Sequence, residues 1–316
     1  MQPPRVTIIL PAYQAEAFLG ATIRSVRAQT MAAFRVVVVD DGSTDGTVRA
    51  AHSAAEGDPR ITVISQPNRG AGAARNAGIA RAETPYLAFL DADDLWHPTL
   101  LDATLDLLDG ASDLRMAFPL CHYVDETGAP TGVRSEARQA RYSATDLMVD
   151  NPIHSGSGVV VRREAMAAAD GFDTSLRSCI DLDCWVRVAG GARDVIGCVP
   201  EVLVDYRRRA GQITADWRRM RDGWQRTAEK AKAAGHGLTP RQHRAAQARL
   251  ARTWASTAYE AGDYPTARHL VRRIWTADPA FAATDKLSLI RTAAALASYL
   301  PRGLHLRIRH AFNARA

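Results

Sequence analysis

The stretch Thr84–Trp96, TPYLAFLDADDLW, joins a short apolar run to a cluster of acids. Residues 86–90 predict a buried strand, and Asp91, Asp93 and Asp94 follow it within four positions. Carboxylates this close repel and raise one another's pKa, so a cation among them would stabilise the cluster. Mg²⁺ and Mn²⁺ take such oxygen ligands together with substrate phosphates. The alternative is a solvated turn in which Asp93 or Asp94 caps the next helix.

Composition limits the class of protein. The chain has 316 residues, 47% of them hydrophobic and 23% charged, which is typical of a soluble globular protein. Its net charge of +6 suits phosphate-bearing ligands, nucleic acid or an anionic membrane surface. No recognition motif with interleaved aromatic residues accompanies that charge, so nucleic acid is not an expected partner. No run of about twenty apolar residues predicts a membrane span.

The four cysteines, Cys121, Cys179, Cys184 and Cys198, show no C-x-x-C spacing and no paired histidine pattern. Neither a zinc site nor a disulfide framework is therefore expected. The N-terminal apolar run is too short for the core of a signal peptide. Together these features predict a cytoplasmic protein.

From Arg5 onward, apolar runs alternate with amphipathic helical patterns. Strands are predicted at RVTIILP, FRVVVVD, RITVIS and PYLAFLD, which begin at residues 5, 34, 60 and 85. Helices are predicted at Ala15–Ala28, at Ser43–Ala55 and within residues 68–82. Right-handed crossovers in this βαβαβαβ order make the strands parallel, so their carboxyl ends share one edge. A ligand crevice is expected at that edge.

Three strand ends are expected to line the crevice. They carry Pro11-Ala12-Tyr13, Asp40-Asp41-Gly42-Ser43 and Asp91-Ala92-Asp93. Asp40 can accept a hydrogen bond from a base or a ribose, Gly42 allows close backbone approach, and Arg75 can face phosphate. The alternatives are that Asp41 and Ser43 only cap the following helix and that Arg75 is a surface ion-pair partner.

The next segment mixes strand and helix patterns. After His97 a helix to Leu108 and a strand at MAFPLCHYV are predicted, whereas the polar stretch Gly128–Asp146 predicts a surface excursion. A strand at Val159–Val161 follows. The segment IDLDCW predicts a helix with Asp181 and Asp183 in its first turn, where carboxylates also suit the helix dipole.

Six motifs, taken in order, resemble those of the inverting family 2 glycosyltransferases of the GT-A fold. They are Ile9–Tyr13, Val36–Thr47 (VVVVDDGSTDGT), Asn68–Gly78 (NRGAGAARNAG), Phe89–Asp94 (FLDADD), Ile180–Trp185 (IDLDCW) and Tyr206–Thr214 (YRRRAGQIT). The resemblance covers Arg5 to about Trp217. It implies an α/β fold, with a GT-A Rossmann-like nucleotide-diphospho-sugar transferase domain at residues 1–216.

The resemblance also implies roles for single residues. Asp40 would contact the nucleotide base and Asp91 the ribose or metal region. Asp93 would hold the divalent cation, Mn²⁺ or Mg²⁺, that bridges the diphosphate. Asp181 would be the catalytic base, supported by Trp185. The predicted donor-binding set is Pro11, Ala12, Tyr13, Asp40, Gly42, Asn68, Gly70, Arg75, Asp91, Ala92 and Arg209, and the predicted metal ligands are Asp93 and Asp91.

Three positions depart from the family pattern. Ile180 replaces the glutamate that usually precedes the catalytic aspartate, and Gln14 replaces a frequent asparagine. Arg209 replaces a frequent histidine, and an arginine can bind a diphosphate directly. Asp183 is the rival to Asp181 as base. Asp181 is preferred because the matching Trp185 lies four residues later, on the same helix face.

Residues 217–316 change to an Ala-, Arg-, Gln- and Leu-rich composition without strand patterns, which predicts an α-helical C-terminal region. Ala245–Ala277 predicts a helical pair that looks like half of a tetratricopeptide-type repeat. The tail Leu287–Ala316 is apolar and basic, with no acid after Asp285. It predicts either an interfacial helix on anionic lipid or a helix packed on the catalytic domain.

The resemblance, together with the retained Asp91, Asp93 and Asp181, implies a metal-dependent glycosyltransferase of hexosyltransferase type. Its expected donor is a nucleotide sugar, most simply a UDP-sugar, and its expected acceptor is a saccharide or a glycolipid in surface polysaccharide or glycolipid biosynthesis. Peripheral association with the inner face of the cytoplasmic membrane would follow from the basic tail. The alternative is a non-catalytic nucleotide-sugar-binding or scaffolding protein that acts through its helical tail.

Overall fold

A computed structural model describes residues 3–209 and 216–299. The strands in these ranges are β1 (Val6–Ala12), β2 (Phe34–Asp40), β3 (Ile61–Ser65), β4 (Tyr86–Phe89), β5 (Leu95–Trp96), β6 (Met116–Val124), β7 (Pro130–Arg134), β8 (Arg141–Tyr142), β9 (Val160–Arg162) and β10 (Ile196–Arg207). The helices are α1 (Leu19–Arg27), α2 (Thr47–Ala55), α3 (Ala71–Ile79), α4 (Leu100–Gly110), α5 (Ala144–Val149), α6 (Arg163–Ala168), α7 (Ile180–Ala189), α8 (Trp217–Ala233), α9 (Pro240–Glu260), α10 (Tyr264–Ala277), α11 (Pro279–Thr284) and α12 (Lys286–Ala297).

The strands form one mixed sheet in the order β3-β2-β1-β4-β9-β6-β10-β5. The first four strands of this order are parallel, which confirms the predicted βαβαβαβ arrangement. β9 is antiparallel to both of its neighbours, β4 and β6. Ala12 pairs with Asp40, and the N–H of Leu90 donates to the carbonyl of Ile9 at 3.1 Å. The ends of β1, β2 and β4 therefore meet at one edge, as predicted.

The strands β1, β2 and β4 are buried on both faces of the sheet. Val36–Val39 of β2 are all buried, in agreement with the continuous valine run. On one face the small residues of α3 allow a very close approach to β1. A Cβ atom at Gly78 would lie 2.7 Å from Cγ2 of Ile9. Any larger residue at this position would push α3, and the side chains that it carries, away from the sheet.

The prediction for Gly128–Asp146 was incomplete. The stretch Gly128–Asp146 is not only a surface excursion, because it contains β7, β8 and the start of α5. β7 pairs antiparallel with β6 after a turn in which Gly128 has a φ of 90°. Every residue of β7 is exposed, so the strand lacks the apolar alternation by which a sequence reveals one.

Three helices begin later than predicted: α1 at Leu19, α2 at Thr47 and α4 at Leu100. Ser43 does not cap α2, whose N-cap residue is Gly46. The hydroxyl of Ser43 accepts instead from the N–H of Gln14 at 3.0 Å. The polar groups before α2 thus fasten two crevice loops together.

Two compact units divide the chain. One comprises Met1–Leu147 and Asn151–Gln212, and the other Met148–Asp150 and Ile213–Ala316. The predicted boundary after residue 216 lies close to this division and stays a prediction. The first unit holds the sheet, its helices and the core around them.

The second unit contains α8–α12, which agrees with the predicted helical C-terminal region. α9 and α10 form the predicted helical pair across a turn at Gly262, and Trp254, Leu270 and Ile274 lie in its core. Residues 210–214, the end of the matched motif Tyr206–Thr214, and tail residues 300–316 lie outside the described residues. Within the described ranges, no helix is long and apolar enough to cross a membrane.

Candidate active site

The three acids after β4 lie in different surroundings. Asp94 is fully buried: its Oδ2 accepts from the hydroxyl of Ser157 at 2.5 Å, and its Oδ1 accepts from the N–H of Arg207 at 2.8 Å. Burial, followed by the charges of Asp93 and Asp91, raises the pKa of Asp94 well above its ordinary value. Neither Asp93 nor Asp94 caps a helix, since β5 follows and Thr99 is the N-cap residue of α4. The solvated-turn alternative is therefore wrong.

Asp93 forms an ion pair with Arg209. Its Oδ2 lies 2.7 Å from Nε of Arg209, and its side chain is largely buried. Burial and the neighbouring charge of Asp91 raise the pKa of Asp93, whereas Arg209 opposes that rise. The arginine that departs from the family pattern thus lies directly on the predicted metal ligand.

Arg75 on α3 contacts two acids from different elements. Nη2 donates to Oδ1 of Asp91 at 2.6 Å, and Nη1 lies 3.4 Å from Oδ1 of Asp181. Desolvation disfavours the charged guanidinium, but the charges of Asp181 and Asp91 outweigh it and raise the pKa of Arg75. Its side chain is only 7% exposed. Arg75 is therefore not the surface ion-pair partner that the sequence left open.

Asp181 and Asp183 both lie in the first turn of α7. The side chain of Asp183 is 1% exposed and pairs with Arg187, one turn later, at 2.7 Å. Asp181 keeps 35% of its side chain exposed. Desolvation raises the pKa of Asp181, Arg75 lowers it, and Asp91 raises it again, with a net rise. Trp185 is buried against Phe89 and Phe172, so it packs α7 onto the sheet.

On the other side of the crevice, Asp40 and Asp41 end β2 and are both buried. Oδ1 of Asp40 accepts from the N–H of Ser43 at 3.1 Å. Asp41 accepts from the N–H groups of Arg69 and Gly70 at 3.0 and 2.8 Å, so it holds the loop before α3 and does not cap α2.

Gly42 brings the loops after β2 and β3 together. It has a φ of 77°, and a Cβ atom there would lie 2.8 Å from the backbone nitrogen of Asn68. Asn68 is exposed, and Gly70, with a φ of 90°, is the N-cap residue of α3. The predicted residues Asp40, Gly42, Asn68 and Gly70 are therefore neighbours along one rim.

The end of β1 contributes Pro11, Ala12 and Tyr13. Ala12 is buried, whereas Tyr13 is 52% exposed beside the ends of β1 and β2. Ala92 after β4 is also buried, and its carbonyl accepts from the hydroxyl of Thr22 on α1 at 2.9 Å. An exposed aromatic ring at this edge provides a flat surface on which a base can stack.

The model of the family described as glycosyl transferase family 2 matches residues 7–167. The chain belongs to this family. TuaG of Bacillus subtilis (strain 168), named for teichuronic acid biosynthesis, is 29% identical over 225 residues, which cover 70% of this chain and 86% of TuaG. EpsH of the same organism is 34% identical over 126 residues, which are 40% of this chain and only 36% of EpsH. The matched region thus spans about a third of EpsH.

Solved structures show the same fold. The mannosyltransferase PcManGT from Pyrobaculum calidifontis, in complex with GDP-Man and Mn²⁺, is similar with a TM-score of 0.59 at 23% identity, covering 99% of this chain and 85% of that one. TarS of S. aureus in complex with UDP-GlcNAc has a TM-score of 0.56 at 17% identity, covering 95% and 82%. The predicted GT-A fold is thereby confirmed for this family 2 chain.

Residues that the sequence did not single out complete this family 2 crevice. Ser157 accepts from the N–H of Asp91 at 3.0 Å while it donates to Asp94, so it fixes the strand-end loop. Nε of Arg207 donates to the carbonyl of Asp93 at 2.9 Å. A Cβ atom at Gly156 would lie 2.9 Å from Oδ2 of Asp181. The small residues of IHSGSG before β9 were the only sequence signal for these contacts. They did not reveal the contacts, because their partners are distant in sequence.

Among the described residues, no group of three or more His, Cys, Asp or Glu side chains is arranged to hold a metal ion. The donor chemistry of Asp91 and Asp93 nevertheless fits a hard divalent cation, which commonly binds one or two carboxylates and substrate phosphates. Burial first and the charge of Asp91 second raise the pKa of Asp93, and a cation beside it would favour the charged carboxylate against both effects. Arg209 is the group that a cation would have to displace from Asp93.

Proposed function

We propose that the protein is an inverting glycosyltransferase that moves a sugar from a nucleoside diphosphate donor to a hydroxyl acceptor. The observation that carries the proposal is the position of Asp181, a half-buried carboxylate that Arg75 connects to Asp91 at the sheet edge. A base next to a donor crevice is what a single displacement requires. The teichuronic acid relative supports a saccharide or glycolipid acceptor in surface polysaccharide biosynthesis.

The rim of Tyr13, Asp40, Gly42 and Asn68 is the proposed nucleotide site. Tyr13 offers an exposed ring, and Asp40 is a buried acceptor at the end of the adjacent strand. Arg209, which follows β10, pairs with Asp93 in the loop after β4, where its charge can contact the diphosphate. A UDP-sugar is the proposed donor, and the UDP-GlcNAc complex of the structurally similar TarS supports that choice.

In the proposed reaction, the acceptor oxygen attacks the anomeric carbon from the face opposite the diphosphate. The new C–O bond forms as the bond to the diphosphate oxygen breaks, and the acceptor proton passes to Asp181. The raised pKa of Asp181 makes it a stronger base than an ordinary aspartate. The leaving diphosphate carries away the electron pair, and the configuration at carbon is inverted.

The proposed cation ligands are Asp93 and Asp91. They would hold a divalent cation whose positive charge would stabilise the departing diphosphate. Arg209 carries a permanent positive charge beside the same carboxylate, so it balances Asp93 before the donor arrives. It can then pair with the diphosphate once Asp93 is otherwise engaged.

The test is calorimetric titration with UDP-, GDP- and dTDP-sugars in the presence of Mn²⁺ or Mg²⁺. We expect one donor class to bind and EDTA to weaken its affinity by about tenfold or more, because one charge-assisted contact contributes about 1.4 kcal/mol or more. Asp93→Asn should bind this donor weakly with or without EDTA. Asp106→Asn removes an exposed carboxylate from α4 and should behave as the wild type.

Two results would contradict the proposal. If no nucleotide sugar bound the wild type, the proposed donor site would be wrong. If the donor bound the wild type and Asp93→Asn with the same affinity, with and without EDTA, the proposed cation would be wrong, but the proposed transferase activity would stand.

A further inference from the structure

Arg75 is a buried arginine whose two terminal guanidinium nitrogens pair with acids from separate elements. Nη2 contacts Asp91 in the loop after β4, and Nη1 faces Asp181 on α7. Its guanidinium carbon lies 5.4 Å from the centre of the Phe172 ring. A buried guanidinium is strongly unfavourable unless it is paired, so both contacts are needed to keep it in place.

The surrounding chain holds this arrangement from several sides. Gly78 lets α3 lie directly on β1, and Gly72 on the same helix lies under Ile180, at the start of α7. Oδ2 of Asp181 is so close to Gly156 that no larger residue fits there without displacing the carboxylate. Arg75 and Asp181 therefore have little freedom to separate.

We propose that Arg75 is a positioning residue that holds the donor-side carboxylate Asp91 and the base Asp181 at a fixed separation. The proposal rests on the proposed function, because it assigns Asp181 the role of base. Its consequence is that Arg75 matters more for the transfer step than for donor affinity. An arginine presents a planar fork that can pair with two carboxylates at once, whereas a lysine ammonium is a compact point charge on a flexible stem.

The kinetic test compares Arg75→Lys with Arg187→Lys. Both arginines pair with a carboxylate of α7, but Arg187 pairs with Asp183 and with the carbonyl of Gly171, away from Asp91. Arg75→Lys should lower kcat by about 10- to 100-fold, as a misplacement of about 1 Å can do. The dissociation constant of the donor, measured by calorimetry, should change by less than about threefold, since one charge remains. Arg187→Lys should retain the kcat of the wild type.

Two kinetic outcomes would overturn the proposal. If Arg75→Lys lost donor affinity while kcat at saturating donor stayed unchanged, Arg75 would be a direct donor ligand. If neither quantity changed, the separation of the two carboxylates would not depend on Arg75.

A second measurement does not require activity. Arg75→Gln should lower the urea midpoint of unfolding, because it leaves two neighbouring carboxylates without their cation. Adding Asp91→Asn and Asp181→Asn to that variant should recover part of the loss, although each is destabilising by itself when Arg75 is present. A triple variant no more stable than Arg75→Gln would show that the arginine does not join the two acids. If the wild type transfers no sugar, the proposed function fails, and this cycle still decides whether Arg75 bridges them.

Discussion

At the scale of single residues, the contrast between Asp181 and Asp183 is the most informative. They lie in one turn of α7, yet Asp183 is buried with its Oδ2 paired to Arg187, whereas Asp181 keeps 35% of its side chain exposed. We predict that Asp181→Asn keeps the donor affinity of the wild type and loses about 10²–10⁴-fold in transfer rate, the usual cost of removing a general base. Calorimetry measures the first quantity and product formation under saturating donor the second.

Asp183→Asn is the matched control, since it changes the same functional group on the same helix. It should keep substantial turnover and lose stability, because the partly buried Arg187 would be left with a weaker partner. An active Asp181→Asn beside a folded but inactive Asp183→Asn would transfer the role to Asp183.

The proposed role of Asp181 as the base also predicts how transfer depends on pH. A general base works only when deprotonated, so the rate is complete above the pKa of Asp181 and falls as the pH drops through it. Because desolvation and Asp91 raise that pKa despite Arg75, the fall should begin at a higher pH than for an ordinary aspartate, whose pKa is about 3.9. A kcat profile measured on folded protein checks this direction.

Asp91 and Asp93 were singled out because acids at a strand end form a local pattern, whereas Asp181 was singled out by the resemblance of IDLDCW to the family motif. The burial of Asp94 could not be predicted in this way, because its partners are distant in sequence. Ser157 precedes β9, and Arg207 ends β10. The pairing of Arg75 with two acids is likewise a tertiary property. Charge alone does not reveal which partner a buried ion will meet.

At the scale of elements, the predictable part of the fold is the part with strong periodicity. The valine run of β2 and the apolar run of β4 predict strands. The exposed β7 and the two-residue β5 show no apolar pattern that predicts a strand. Helix starts were misplaced where polar side chains bond across loops, as Gln14 does when its Oε1 accepts from the N–H of Thr44 at 2.7 Å. Such bonds satisfy the groups that would otherwise cap a helix.

Gly42 gives a prediction about the loop that it closes. Gly42→Ala should weaken donor binding and lower stability, because it combines a strained left-handed φ with a clash against the backbone of Asn68. Gly57→Ala is the control: its φ is 72°, but nothing lies within 4 Å of the added Cβ. The φ strain, about 1–2 kcal/mol, is common to both variants. Gly42→Ala should therefore lose more stability and more donor affinity than Gly57→Ala. This difference, measured by urea unfolding and donor titration, reports the clash. Equal behaviour of the two variants would contradict a close approach of these loops in the donor site.

At the scale of the whole molecule, the helical unit presents an apolar stripe on α12. The stripe comprises Leu289 and Leu296 on one face of α12 and Tyr299 just after the helix, and Leu296 and Tyr299 are 63% and 61% exposed. Trp275 of α10 donates to Thr292 from beside the stripe. Arg268 of α10 lies over the ring of Tyr299 at 4.3 Å, and Arg272 is exposed one turn along the same helix.

Apolar side chains bordered by arginines match an anionic lipid surface, which receives the apolar groups and attracts the positive charges. We therefore propose that this unit binds the membrane peripherally and brings the enzyme to a glycolipid acceptor. The protein should float with vesicles that contain phosphatidylglycerol, should float less at high salt because screening weakens the attraction, and should not float with neutral vesicles.

Leu287 provides the internal control for this last prediction. It is 47% exposed on α12, like Leu289 and Leu296, but its position on the helix is about 180° from Leu296. Leu289→Gln combined with Leu296→Gln should reduce flotation, whereas Leu287→Gln should not, and donor affinity should be unchanged in all variants. Equal flotation of the three proteins would show that the stripe does not contact lipid. Absence of flotation by the wild type would instead favour the other interpretation of the tail, a basic helix that packs against protein.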